Sequence, residues 1–153
     1  MVNLFVDLDG VKFDFDGGFR SMFGQDWDDT RQTEMWSLVN SRDDFWSSLP
    51  LLSDAMHLWD FVKNHNPTFL TGCPSSGFDK ADKGKRQAVL THFGEIPVIT
   101  CRSKDKQLHM IEKGDILIDD RHSNCKRWTK AGGISILHRS AKSTIKALNA
   151  HGL

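Results

Sequence analysis

The spacing of apolar positions changes along the chain, and each change marks an element. Leu4-Phe5-Val6 is a short continuous apolar run that stops at Asp7-Leu8-Asp9-Gly10, as a buried parallel strand does. From residue 51 the pattern is regular. Ser53-Asp54 opens a helix whose Ala55, Leu58, Trp59 and Val62 fall at i, i+3, i+4 and i+7, and Asn66-Pro67 stops it. Thr68-Phe69-Leu70 reads as a second buried strand leading into Thr71-Gly72-Cys73-Pro74. Residues 79–92 read as a helix with a charged face of Lys80, Lys83, Lys85 and Arg86, ended by Gly94. Ile96-Pro97-Val98-Ile99-Thr100 gives a third strand, and Ile116-Leu117-Ile118 a fourth that runs into Asp119-Asp120-Arg121. Ser123 caps a helix carrying Cys125, Trp128 and Ala131, Ile134–Leu137 forms a fifth strand, and Ser140 opens a last helix with Ala141, Ile145 and Leu148 inward. Strands alternating with helices predict an α/β fold, a five-stranded parallel sheet with helices on both faces.

Residues 13–50 break this rhythm. Phe13, Phe15, Phe19, Phe23, Trp27, Trp36, Phe45 and Trp46 make up more than half of the chain's ten phenylalanines and five tryptophans, among many Asp, Arg and Ser. That is too aromatic for a crossover helix and too often interrupted for a sheet layer. It predicts a small, mostly helical cap over the end of the first strand, most of whose rings build the cap's own core.

A length of 153 residues fits one domain, residues 1–153, with the cap inside it. Lys and Arg number 20 and so do Asp and Glu, so no basic field marks a binder of duplex nucleic acid or of membrane surfaces. No stretch approaches the roughly 20 apolar residues of a membrane span, and no charged leader opens the chain. Cys73, Cys101 and Cys125 stand in no metal-ligand spacing and suit a reducing compartment, so the expected setting is the cytoplasm.

The carboxyl ends of parallel strands share one edge, which is where open α/β sheets bind ligands. That edge collects Asp7 and Asp9 from the first strand, Thr71 from the second and Asp119 and Asp120 from the fourth. The loop Arg102-Ser103-Lys104-Asp105-Lys106 brings an ammonium to it. Asp-x-Asp-Gly alone describes many turns, Thr71 also fits a turn cap, and Lys104 and Lys106 also fit solvated loop charges. None of these explains acids recurring after two buried strands. Converging acids imply Mg²⁺, a hard cation that usually brings a phosphate; with a hydroxyl and a lysine they form a phosphoryl-transfer site.

In the order Asp7-x-Asp9, Thr71, Lys106 and Asp119-Asp120, the chain resembles the haloacid dehalogenase (HAD) superfamily of phosphatases, whose fold is Rossmann-like. Asp7-Leu8-Asp9-Gly10-Val11-Lys12-Phe13-Asp14-Phe15 is similar to the opening of its 5'(3')-deoxyribonucleotidases, and Ile118-Asp119-Asp120-Arg121 fits the same subgroup. The resemblance implies an Mg²⁺-dependent hydrolysis of a (deoxy)nucleoside monophosphate with Asp7 as nucleophile and Asp9 as acid/base. Lys106, Thr71 and Gly72 would hold phosphate oxygens. Asp7, Asp120 and the carbonyl of Asp9 would hold the metal with Asp119 assisting, and Phe15 and Trp46 are the rings expected to stack on a base. Thr71-Gly72-Cys73-Pro74 departs from the Thr-Ser-Pro of that subgroup, so a second hydroxyl is missing. Two alternatives stay open: a phosphatase of the same fold acting on another small phosphomonoester or on a phosphorylated nucleic-acid end, and a phosphorylatable receiver module that signals by binding. A receiver carries its accepting Asp after the third strand, and Ile99-Thr100-Cys101 has none.

Overall fold

The structure, a computed structural model, describes residues 2–153. Strands β1 (Leu4–Val6), β2 (Thr68–Gly72), β3 (Val98–Cys101), β4 (Ile116–Asp119) and β5 (Ile134–Leu137) pair in parallel throughout, in the order β3-β2-β1-β4-β5. Helices α1 (Phe15–Phe23), α2 (Gln32–Asn40), α3 (Ala55–Val62), α4 (Phe78–Phe93), α5 (His122–Lys130) and α6 (Ala141–Ala150) join them. The chain builds outward from β1 to β3, then returns to the other side of β1. The winding therefore reverses between β1 and β4, where an open sheet leaves a crevice at its carboxyl edge. Receiver modules use the order 2-1-3-4-5 instead, so the observed order argues against that alternative.

Alternation along β1 assigns the faces. Leu4 and Val6 pack with Leu58, Trp59 and Val62 of α3, Ala88, Val89 and Phe93 of α4, and Leu148 of α6. Phe5, between them, packs on the opposite face against Trp128 of α5, ring centroids 5.3 Å apart and edge to face. Among the described residues no helix is long and apolar enough to cross a membrane.

Two expectations shift by a few residues for identifiable reasons. The third strand starts at Val98 because Pro97 has no N–H to give, and its carbonyl accepts from Phe69 at 2.9 Å. Ser123 does not cap α5: the N-cap is Arg121, two residues earlier, after the Arg121 N–H has turned back to the Asp119 carboxylate at 2.9 Å. Ser140 does cap α6, accepting from the Ser143 N–H at 3.1 Å.

The aromatic segment holds α1 and α2. It leaves and rejoins the body side by side: Phe13 bridges Leu51 antiparallel, the Asp14 N–H donates to the Pro50 carbonyl and the Leu52 N–H to the Lys12 carbonyl, both at 2.9 Å. Phe19, Met35, Val39 and Phe45 fill it and merge with the core beneath α3 and α4.

Lys12, at this junction, is fully buried; its Nζ donates to the Ala55 carbonyl at 3.0 Å and lies over the rings of Trp59 and Phe93. Burial pushes its pKa down from 10.5 to about 7, against the pull of Asp54 and Asp60. Between those two values the unfolded chain binds the extra proton, so stability rises with pH across that window. At about 1.36 kcal/mol per unit the whole rise is about 5 kcal/mol at most. Below pH 7 the lysine is charged in both states, and the full cost of burying the ammonium is present. Urea unfolding at pH 6, 8 and 9 should show this rise in the wild type and a flatter profile in Lys12→Met. Parallel profiles would mean that Lys12 does not titrate as a buried group.

Candidate active site

Asp7 follows β1 directly, and its N–H still donates to the Ile118 carbonyl at 2.9 Å, so its side chain is fixed at the sheet's carboxyl edge between β1 and β4. Lys106, only 2% exposed, reaches it from the 3-10 segment Ser103–His109, donating to Asp7 Oδ1 at 2.9 Å and to Asp119 Oδ2 at 2.7 Å. Burial works against the ammonium, but the two carboxylates outweigh it and raise its pKa above the ordinary lysine value. Lys106 is thus held charged, with one of its three donors uncommitted. Lys104 is exposed at the cavity mouth.

The two acids after β4 differ. Asp119 is fully buried and its oxygens are taken: Lys106 and Asn124 Nδ2 (3.1 Å) donate to Oδ2, and the Arg121 N–H donates to Oδ1. Asp120 lines the cavity and lies over Gly10, where a Cβ would stand 2.0 Å from its Oδ2. Gly10 also has a φ of +82°, so both the turn and the close approach require glycine. Asp7, Asp119 and Asp120 offer carboxylate oxygens within 4.8 Å of one another. Burial, then repulsion from Asp119, raises the pKa of Asp7 well above the ordinary carboxylate value despite Lys106. Burial also raises Asp120, with Asp119 adding to it against a hydrogen bond to Asp7. Hard oxygen donors crowded until two resist ionisation fit a divalent cation such as Mg²⁺, which relieves that repulsion. Asp120 and Asp7 are placed for direct ligation, and the committed oxygens of Asp119 suit a supporting part.

The Asp9 carboxylate stands apart from this group. Its Oδ2 accepts from Lys85 Nζ at 2.8 Å. This corrects the expectation that Lys85 belongs to the charged outer face of α4: Lys83 and Arg86 are exposed, whereas Lys85 is 3% exposed and points to the sheet edge. The same ammonium donates to Thr71 Oγ1 at 2.8 Å and to the Gly72 carbonyl at 2.7 Å. Thr71 lies on β2, which runs two residues further than expected, and is fully buried. The cavity wall at that point is Gly72-Cys73-Pro74-Ser75, so Ser75 brings in a hydroxyl that sequence reasoning missed. Burial pushes the Cys73 thiol up to about 11 against the charge of Lys85, which keeps it protonated and no rival nucleophile.

Asp7, Asp9, Lys106, Asp120 and Gly72 line the floor of a cavity of about 820 Å³, whereas Asp119, Lys85 and Thr71 lie behind its wall, so Thr71 does not stand at the cavity surface as the expected phosphate ligand but accepts from Lys85 beneath it. Phe15 and Trp46 both line it, joined by Trp27 and Trp36, which the sequence did not single out. Trp27 and Trp36 meet edge to face at 4.7 Å, Phe15 and Trp46 are 5.7 Å apart, and Trp46 is almost wholly buried. Phe15, Trp27 and Trp36 are half-buried, leaving ring surface for a ligand. At the rim Arg102, Lys104 and Arg121 are exposed, with no ion-pair partner among the described residues.

No protein-family model matches the sequence, and no curated protein matches it either. Solved structures do resemble it. A hydrolase from Streptococcus pneumoniae TIGR4 aligns with a TM-score of 0.57 at 13% identity, covering 96% of this chain and 97% of that one. A hydrolase from Pseudomonas syringae aligns with a TM-score of 0.57 at 10% identity over 100% of both chains. A HAD-superfamily hydrolase from Ehrlichia chaffeensis aligns with a TM-score of 0.54 at 14% identity, covering 97% of this chain and 96% of the other. At such identities the shared property is the fold. With its five parallel strands and flanking helices, the chain has the Rossmann-like fold of the haloacid dehalogenase superfamily hydrolases.

Proposed function

We propose that this protein is an Mg²⁺-dependent phosphomonoester hydrolase that works through an aspartyl phosphate on Asp7 and takes nucleoside monophosphates, deoxyribose forms above all. The observation that carries the reading is the placement of Asp7: a buried carboxylate gripped by Lys106 beside Asp120, on the floor of a cavity walled by aromatic rings. Lys106 donates to Oδ1 of Asp7 and leaves Oδ2 to attack phosphorus. As that bond forms, the bond from phosphorus to the leaving oxygen breaks, and Asp9 gives the departing alkoxide a proton. Asp9, now ionised, then takes a proton from a water whose oxygen attacks the same phosphorus. The bond to Asp7 breaks, releasing phosphate and restoring both acids. Lys106 keeps a donor for a phosphoryl oxygen throughout. When bound, Mg²⁺ supplies the positive charge that lets a carboxylate approach a phosphate dianion. Asp7, Asp120 and the Asp9 carbonyl would hold it.

The aromatic wall supports the nucleotide part of the proposal, since rings beside a phosphoryl site use remote binding energy to position the reacting group. Phosphate release measured across nucleoside mono-, di- and triphosphates, sugar phosphates and an aryl phosphate tests it. Nucleoside monophosphates should show much the highest kcat/KM. Phe15→Ala should cost them about tenfold to a hundredfold, the scale of stacking on one base, while sparing the aryl ester. Equal rates for nucleotides and aryl phosphate in the wild type would remove the base subsite. One observation favours a second reading: the unpaired Arg102, Lys104 and Arg121 at the rim suit further phosphates of a nucleic-acid end. A single-stranded oligonucleotide with a terminal phosphate therefore belongs in the same panel.

A further inference from the structure

The site holds two buried lysines, and they share three of its four acids: Lys106 takes Asp7 and Asp119, and Lys85 takes Asp9. An ammonium has three hydrogens to give, and those of Lys85 are matched by Asp9 Oδ2, Thr71 Oγ1 and the Gly72 carbonyl, all within 2.8 Å. None is left for a substrate, so Lys85 is not itself a phosphate ligand in this arrangement. Its remaining side meets the face of Trp46, with Nζ 4.7 Å from the ring centroid. Helix α4 is pressed against the cap at this point: a Cβ on Gly84 would stand 2.6 Å from the Cβ of Trp46.

We infer that Lys85 is the positioning residue of the acid/base step, fixing the Asp9 side chain against strand β2 and against the cap. This rests on the phosphatase reading above. Asp9 lies on the loop after β1, partly exposed, and Lys85 is the only side chain bonded to it among the described residues. Without that contact nothing selects the rotamer from which the carboxyl group reaches the leaving oxygen and then the attacking water. Proton transfer needs heavy atoms within hydrogen-bond reach, so a freely turning carboxylate loses most of its effect. Because Lys85 gives a hydrogen to Thr71 Oγ1, it also leaves the threonine's own hydrogen to be donated elsewhere. Trp46 completes the fixture, so the turn that carries it and the acid/base share one anchor.

Leaving groups separate this role from a merely structural one. An aryl oxide departs without a proton and a nucleoside alkoxide does not, whereas dephosphorylation of Asp7 needs the base with either substrate. Lys85→Met and the wild type are therefore followed by rapid mixing with p-nitrophenyl phosphate and with a nucleoside 5'-monophosphate. With the aryl ester the variant should give a burst of nitrophenolate close to one per enzyme, followed by a steady rate about a hundredfold below wild type, the lower end of what acid–base catalysis contributes. With the nucleotide it should give no burst, because the first step is slowed as well. Asp9→Asn should behave in the same way, and the double variant should be no slower than Asp9→Asn alone. Uniform slowing of both substrates in both phases would overturn the inference and leave the phosphatase reading standing, as would losses that multiply in the double variant. A wild type that releases phosphate from neither ester overturns the reading and the inference together. If Lys85→Met fails to fold, Lys85→Gln, which keeps a donor toward Asp9, is read by the same burst and should fall between wild type and Asp9→Asn.

Discussion

Asp7→Asn is expected to abolish turnover, with a loss of roughly 10⁴-fold or more, the scale on which removing a nucleophile acts. An amide nitrogen or oxygen in the same place does not form a mixed anhydride with phosphate, so covalent labelling should vanish together with turnover. Lys106 would keep Asp119 as a buried partner at 2.7 Å, and losing one of three mutually repelling carboxylates offsets the lost ion pair. The variant should therefore fold, which its thermal midpoint checks. Near-normal phosphate release by folded Asp7→Asn would end the proposed mechanism.

The second large effect is metal removal. Chelation by EDTA should bring activity to background and Mg²⁺ should restore it, because the carboxylates of Asp7, Asp119 and Asp120 otherwise repel both one another and a phosphate dianion. The two acids after β4 should then fail differently. Asp120→Ala removes a cavity-lining ligand, so it should raise the Mg²⁺ concentration needed for half-maximal activity with little change in stability. Asp119→Ala strips a fully buried acceptor from Lys106, Asn124 and the Arg121 N–H, so it should cost about 3–5 kcal/mol of stability. Metal titrations of activity and urea unfolding of both variants check the contrast. Equal activity in chelator-treated and Mg²⁺-containing buffer would take the metal out of the account.

The sheet and its acidic edge were legible in the sequence because buried parallel strands write continuous apolar runs, and an acid after such a run stands out. Asp7, Asp9, Asp119 and Asp120 all announce themselves in this way. Lys85 did not, because a lysine flanked by Lys83 and Arg86 looks like part of a solvated face. A signal was nevertheless present: Ala81, Gly84 and Ala88 lie at i, i+3 and i+7, and Lys85 takes the i+4 place on that same buried stripe of α4. Trp27 and Trp36 left no comparable trace. Rings in a short, polar-interrupted cap carry no periodicity to say which face a cavity and which the cap's own core, and that division emerges only when α1 and α2 fold over the sheet edge. Pro97 and the turn-forming Asp119 shifted strand and helix starts by a residue or two, through single backbone hydrogen bonds that composition does not encode.

In the proposed reaction the phosphoryl group passes through Asp7. Acid quenching of Asp9→Asn during turnover of p-nitrophenyl phosphate, whose leaving group needs no proton, lets the intermediate accumulate, and borohydride then converts an acyl phosphate to the alcohol and marks the residue that carried it. Peptide mass spectrometry should find that mark on the Leu4–Lys12 segment at Asp7, dependent on Mg²⁺ and absent from Asp7→Asn. A protein that turns over substrate with no mark on Asp7, or with the mark on another residue, does not work through an aspartyl phosphate at Asp7.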